Sequence, residues 1–215
     1  MVNQLKKLFF WRCYSTKCNR DWWANRKNIN WKKDYTDTWN YPHRFYISQV
    51  LFELKWLSLI EIGCGGGANL INIIKYFKGK RGVQLGGLDV NKEAIDLCNE
   101  MMPRSLFRQM TGDKIFMGDK STDVILTDMT LIYVAPIKIK KYLKEIKRVT
   151  RKYIVIHEFH EKNWFKRQWL RIRSGRHSYN YEKLLTKLEF FDINIIKMPN
   201  FDNDNQNRYL IVAKP

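Results

Sequence analysis

Short apolar runs alternate with amphipathic stretches over most of the chain. Trp56 to Ile62, Val83 to Leu88, Asp123 to Thr127 and Tyr153 to Ile156 are brief, largely apolar and bounded by polar or turn residues, and read as strands buried on both faces. Phe45 to Lys55, Ala68 to Phe77, Lys92 to Met101 and Ile137 to Val149 instead space their apolar residues for one face of a helix. A glycine cluster, Gly63 to Gly67, separates the first strand from the helix behind it, and Pro103 stops the helix that ends at Met101. Strand, turn and helix repeated in this order predict a parallel sheet with helices on its faces. Further on, Tyr181 to Leu188 reads as a helix, and Ile193 to Met198 and Tyr209 to Ala213 as strands. The Asn- and Asp-rich loop from Pro199 to Arg208 predicts that these two form a hairpin at the sheet edge. The expected fold is α/β, a doubly wound and mostly parallel sheet with an antiparallel edge strand.

At 215 residues and 45% hydrophobic content, the chain fits one packed domain. Residues 1–44 differ in character, being basic and rich in tryptophan (Trp11, Trp22, Trp23, Trp31, Trp39), with no linker behind them. They are read as an extension or lid, and residues 45–215 as the domain proper. The 39 Lys+Arg against 21 Asp+Glu leave a net charge of +18, which attracts polyanions or merely reflects codon bias in the source. Cys13, Cys18, Cys64 and Cys98 are too few and scattered for a disulfide framework and point to a reducing compartment. The segment Met1 to Arg12 lacks the pattern of a signal peptide, and no run approaches the roughly 18 apolar residues of a membrane helix. A cytoplasmic protein with no membrane partner is expected.

In open parallel sheets, ligands lie beyond the carboxyl ends of the strands, where the first strand here delivers Glu61-Ile-Gly-Cys-Gly-Gly-Gly-Ala68. Glycines permit a tight turn and close backbone approach. Gly63, Gly65 and Ala68 have dinucleotide spacing, so a nicotinamide-dependent oxidoreductase is one reading; the absence of Gly-Lys-Ser/Thr excludes a nucleoside triphosphate loop. Two carboxylates shift the balance. Glu61 would repel a pyrophosphate but can hold the ammonium of an amino acid. Asp89, closing the second strand, can accept hydrogen bonds from two vicinal ribose hydroxyls. Adenosine joined to an amino acid satisfies both, as in S-adenosylmethionine.

The segment Leu59-Ile-Glu-Ile-Gly-Cys-Gly-Gly-Gly-Ala-Asn69 resembles the first motif of the class I S-adenosylmethionine-dependent methyltransferases, and Gly87-Leu-Asp-Val-Asn91 resembles their ribose-binding strand. Gly112-Asp113 is similar to the Gly-Asp before the adenine contact, and Asp119 to Val134 to the fourth-strand motif. The resemblance runs from Tyr41 to Pro215 and implies a seven-stranded Rossmann-like sheet, S-adenosyl-L-methionine as cofactor, and methyl transfer. It places Glu61, Gly63, Cys64, Gly65 and Gly67 around methionine and ribose, Asp89 and Val90 at ribose and adenine, and Asp128 and Met129 beside the sulfonium. The connection from Asp113 to Asp119 is shorter than is usual in the family; the adenine contact falls on Asp113, with Thr111 or Lys114 as alternatives.

Methyl transfer from a sulfonium is an in-line displacement in which a protein chiefly aligns the acceptor and excludes water. For a hydroxyl or protonated amine a base helps, and the residues suited to it are Asp128, Tyr133 and the cluster His157-Glu158-Phe159-His160, His157 and His160 foremost. These two histidines lack a third metal ligand at recognisable spacing, so no metal is expected. Arg44 stands where it can pair with the cofactor carboxylate or lie in water at a helix start.

Aromatic and basic residues interleave from Leu5 to Lys33 and from Trp164 to Arg176, a pattern that stacks bases and tracks phosphates, binds an anionic metabolite, or packs as a lid. Thr127-Asp-Met-Thr130 stands where amino-directed nucleic-acid methyltransferases carry Asn-Pro-Pro-Tyr. A small-molecule or sugar-like acceptor is therefore expected. The alternatives are an RNA substrate and a non-catalytic RNA-binding module; the latter predicts loss of cofactor residues, which are all present.

Overall fold

A computed structural model describes residues 16–27, 29–78, 82–199 and 208–215. Trp11, Cys13 and most of the loop after Pro199 lie outside the described residues. Strands β1 (Ser58–Ile62), β2 (Gln84–Asp89), β3 (Leu106–Gln109), β4 (Thr122–Asp128), β5 (Thr150–Phe159), β6 (Phe191–Lys197) and β7 (Arg208–Lys214) form one seven-stranded sheet in the order β3-β2-β1-β4-β5-β7-β6. The pairings from β3 through β5 are parallel, whereas β7 runs antiparallel to both β5 and β6. The fold class is the expected one, with the reversed strand set one place in from the edge.

The two-sided core follows from the alternation of side chains along each strand. Ile60, Ile62, Ile125, Ile154 and Ile156 face one layer. Leu59, Val124, Leu126 and Val155 face the other. The helices, in chain order, are α1 (Thr16–Ala24), α2 (Trp31–Asp34), α3 (Pro42–Glu53), α4 (Ala68–Tyr76), α5 (Lys92–Met101), α6 (Pro136–Val149), α7 (Trp164–Ser174) and α8 (Tyr181–Lys187). Ile139, Leu143 and Ile146 of α6, with Tyr181 and Leu185 of α8, cover the first face. Ile47 and Leu51 of α3, Leu70 and Ile73 of α4, and Ile95 and Cys98 of α5 cover the second. Proline opens α3 and α6, where its missing N–H costs nothing. The Asn91 side chain caps α5 by accepting from the Ala94 N–H at 3.1 Å.

Two strands differ from the sequence reading. β3 went unpredicted because Phe107 alone of its four residues is buried, leaving no periodic signal. β5 runs from Thr150 to Phe159 rather than Tyr153 to Ile156, because its polar residues find partners within the fold. At its start, Arg151 and Lys152 reach the buried Asp123 at 2.8 and 3.2 Å.

The chain ahead of α3 packs onto the glycine turn. Trp31 is buried, and the Thr36 hydroxyl, in a 3-10 turn over Thr36–Asn40, donates to the Gly66 carbonyl at 2.7 Å. Among the described residues no helix is long and apolar enough to cross a membrane.

Candidate active site

Beyond the ends of β1, β2 and β4 lies a cavity of about 440 Å³, closed on its far side by α1, α2 and the turn behind them. The floor is the glycine turn. Gly63 and Gly65 have φ of +75° and +50°, and a β-carbon on Gly63 would come within 2.1 Å of the Thr130 hydroxyl, so only glycine fits there. The N–H groups of Gly63 and Cys64 both donate to the Leu88 carbonyl, at 2.7 and 3.2 Å, tying the turn to β2. At the end of β2, Asp89 accepts the Gly65 and Asn91 N–H groups, each at 2.9 Å, and retains further acceptor capacity on both oxygens. Burial pushes the Asp89 carboxyl upward, against the pull of these backbone donors.

Asp128 closes β4 and is the hub of a buried network. It meets His157 Nδ1 at 2.6 Å, Asn69 Nδ2 at 2.9 Å, Arg44 Nη1 at 3.2 Å and His43 Nε2 at 3.5 Å. Burial alone would raise its carboxyl; the His157 and His43 rings outweigh that and hold it well below the ordinary range. In the neutral tautomer with its proton on Nδ1, His157 donates to Asp128 and keeps a lone pair on Nε2. Nε2 is buried, has no hydrogen-bond partner among the described residues, and belongs to a ring in the cavity wall. The His43 ring stacks on that of His157 with centroids 5.4 Å apart. Met129, next in the chain, turns through a left-handed φ of +50° with its N–H on the His157 carbonyl at 2.9 Å.

Glu61 is fully enclosed at the end of β1. One oxygen accepts from Asn69 Nδ2 at 2.6 Å, while the other, Oε2, is buried without a hydrogen-bond partner among the described residues. Burial pushes the Glu61 carboxyl up to about 8, with the Asn69 bond opposing. Arg44 opposes it only through its charge, since its donors are engaged with Asn69 Oδ1 at 2.7 Å, with Asp128, and with the carbonyl and hydroxyl of Thr38. Glu61 thus keeps one oxygen without a hydrogen-bond partner among the described residues, at the cavity wall.

Glu158 has a structural task. Buried in β5, it accepts the N–H groups of Thr130, Leu131 and Ile132 at 2.8, 2.6 and 3.1 Å, fixing the 3-10 turn Leu131–Tyr133 that brings Ile132 and Tyr133 to the cavity. Burial pushes its carboxyl up to about 8 despite these three donors. Glu158→Ala strands three buried donors and is expected to cost about 3 kcal/mol or more in chemical denaturation, with Glu158→Gln losing roughly half as much.

Of the residues singled out from sequence, Arg44, Glu61, Gly63, Cys64, Gly65, Asp89, Val90, Asp128, Met129, Tyr133 and His157 line this cavity. Three do not. Gly67 sits behind the turn as the N-cap of α4, with φ of +77°. Asp113 points away and reaches Lys141 at 3.3 Å, because Gly112 is pressed against Ile62 and Tyr142 and the next side chain must turn outward. Met110 and Gly112 line the wall in its place, and neither Thr111 nor Lys114 does. His160 lies three positions beyond His157, an odd spacing that puts it on the opposite side of an extended chain. Its Nδ1 accepts the Tyr181 N–H at 3.3 Å and its ring packs on Tyr209, in a separate depression with Glu161, Lys162 and Glu182. Of the residues suited to act as a base, Asp128, Tyr133 and His157 therefore line the cavity and His160 does not.

Sequence reasoning missed His43 and Asn69. The first adjoins Arg44 at a helix start and the second ends the glycine motif, so proximity to singled-out residues was the available signal. Cys64 is a packing residue: its contact with the Cys98 thiol and its burial hold the thiol well above the ordinary range.

Residues 59–153 match a family model described as a methyltransferase domain. The order of the seven-stranded sheet agrees with that of a class I methyltransferase domain. No curated protein matches the sequence. The chain is similar in structure to magnesium protoporphyrin IX methyltransferase from Synechocystis PCC 6803, solved with bound SAM, at 12% identity over 93% of this chain and 96% of that one, with a TM-score of 0.65. A chain from the complex of the Haloferax volcanii Trm112 methyltransferase activator and a putative methyltransferase is 17% identical over 93% of this chain and 97% of that one, with a TM-score of 0.62. A SAM-dependent methyltransferase from Methanosarcina mazei is 19% identical over 77% and 96%, with a TM-score of 0.60.

Proposed function

We propose that this protein transfers a methyl group from S-adenosylmethionine to a hydroxyl, or to an amine that first gives up a proton, on a small molecule, with His157 as the base that takes the proton. The observation that carries the proposal is the bare, buried Nε2 of His157 in the cavity wall, held by the bond from its other nitrogen to Asp128. The residues present fit the cofactor. Unpartnered Oε2 of Glu61 suits its ammonium, Asp89 suits a ribose diol, and the glycine turn leaves its backbone open to close approach. When bound, S-adenosylmethionine supplies an electrophilic methyl group on a sulfonium. His157 takes the acceptor's proton at Nε2, and Asp128 stabilises the cation so formed.

The cavity, about 440 Å³, lies in the range of small-molecule sites and the donor would fill much of it, so the residues of its outer wall bear on the acceptor's class. Its outer wall is pinned where Asn19 donates to the Tyr133 carbonyl at 2.9 Å and Trp23 sets its ring edge on Tyr133, 5.4 Å between centroids. Arg176 and Arg208 also line it, beside an Arg20 paired with Asp21, and their charge favours an acceptor carrying a carboxylate or phosphate. The test is calorimetry followed by labelled methyl transfer into a fractionated cell extract. Micromolar S-adenosylmethionine binding with label in the small-molecule fraction is expected; label in RNA, or no binding, would overturn the reading.

Glu61 gives this binding a pH signature. In the unfolded chain its carboxyl titrates near 4.5 and in the folded protein near 8, so its contribution to stability is complete below 4.5 and is lost as pH rises through about 8. A cationic ligand favours the ionised form, so binding near neutral pH releases a proton. Affinity for S-adenosylmethionine is expected to climb from about pH 6 to about pH 8, by at most about tenfold per unit. In Glu61→Gln this slope disappears and affinity falls. Titrations in buffers of different ionisation heat count the proton directly.

A further inference from the structure

None of the 11 residues of α7 is buried. Phe165, Trp169 and Ile172 are 76%, 66% and 61% exposed, and their i, i+4, i+7 spacing aligns them in one stripe that faces solvent. Trp164, at the helix start, is 56% exposed. The half-buried positions are instead Arg167, Gln168, Leu170 and Arg171. A helix serving only the core turns its apolar stripe inward, and α7 does the reverse. Lys166 and Arg173 flank the stripe, no acidic residue occurs between Glu161 and Glu182, and the chain carries +18 overall.

An exposed stripe of this kind marks a contact surface, and the charge around it selects an anionic partner. Bulky apolar side chains on one side with lysine and arginine beside them are the composition of a helix that lies in the plane of a lipid surface. Single-stranded RNA is bound by flat rings in a basic groove. Ile172 offers no ring to a base, and α7 presents a convex stripe.

We propose that α7 docks the protein on anionic bilayers, with Phe165, Trp169 and Ile172 entering the acyl boundary and Lys166 and Arg173 among the headgroups. This needs no membrane-spanning segment, because the helix lies on the bilayer. The C-terminus of α7 passes through Gly175, at φ +70°, directly into Arg176 of the cavity wall, so docking places the cavity beside the lipid surface.

Vesicle flotation of the full chain tests this, comparing phosphatidylcholine alone with phosphatidylcholine containing about one third phosphatidylglycerol, at about 0.15 M salt. Binding to the anionic vesicles only is expected. The triple variant Phe165→Ser, Trp169→Ser, Ile172→Ser, altered at exposed positions, is expected to keep its circular dichroism and to lose about tenfold or more in partitioning. Brominated lipid should quench tryptophan emission in the native protein and less in Trp169→Phe. The proposal is overturned if the triple variant partitions like the native protein, which would leave charge alone at work. It is equally overturned if vesicles fail to bind while polyuridine RNA binds tightly and depends on the same three residues.

Discussion

His157→Gln is expected to slow methyl transfer by about 10²–10⁴-fold while S-adenosylmethionine affinity changes only a few fold. The glutamine amide can still donate to Asp128, so the buried carboxylate keeps a partner and the network survives. It offers no basic atom where Nε2 stood. A base leaves an acid limb in the pH–rate profile, and that limb should vanish in the variant. Asp128→Asn is expected to act through the same atom: an amide in place of the carboxylate can donate to Nδ1, which shifts the ring proton to Nε2 and removes the lone pair. Unchanged turnover and an unchanged profile in His157→Gln would remove the base from the mechanism and leave positioning as the sole contribution of the chain.

Gly63→Ala is expected to lower stability by roughly 2–5 kcal/mol and to abolish cofactor binding. Two costs combine. The first is a left-handed backbone at φ +75°, which a β-carbon opposes by about 1–2 kcal/mol. The second is overlap with Thr130, whose hydroxyl, methyl and β-carbon would lie 2.1, 2.6 and 2.9 Å from the new atom. The β-branched side chain cannot swing clear, and the Thr130 N–H is fixed on Glu158. The turn or the end of β4 must therefore move, and both border the cavity. Adding Thr130→Gly should recover the overlap cost but not the backbone cost, so a double-mutant cycle by chemical denaturation separates them. An additive cycle would show that the two residues do not collide.

The legible parts of the fold were those where one physical demand dominates. β1 and β4 are buried on both faces and announce themselves as apolar runs; α5, with a capping Asn91 and a stop at Pro103, was placed residue for residue. β3 was invisible because an edge strand with one buried side chain has no pattern to show. The placement of Glu61, Asp89 and Asp128 at the cavity was readable because each stands at the end of a buried strand and the cavity lies beyond those strand ends. His160 misled because sequence proximity to His157 carries no information about facing until the strand's true length is known. Asp113 misled for a similar reason, with Gly112 taking the inward position. His43 and Asn69 act only through Asp128 and Glu61, a relation set by tertiary contact and absent from any local motif.

Asn69 deserves a last consequence. Its side-chain nitrogen bonds Glu61 at 2.6 Å and Asp128 at 2.9 Å, so one amide spans the seat of the donor and the anchor of the base. The amide carries two N–H donors, so a cation that draws Glu61 off one of them leaves the bond to Asp128 in place. On the proposed function, holding the donor and anchoring the base are thereby joined through one side chain.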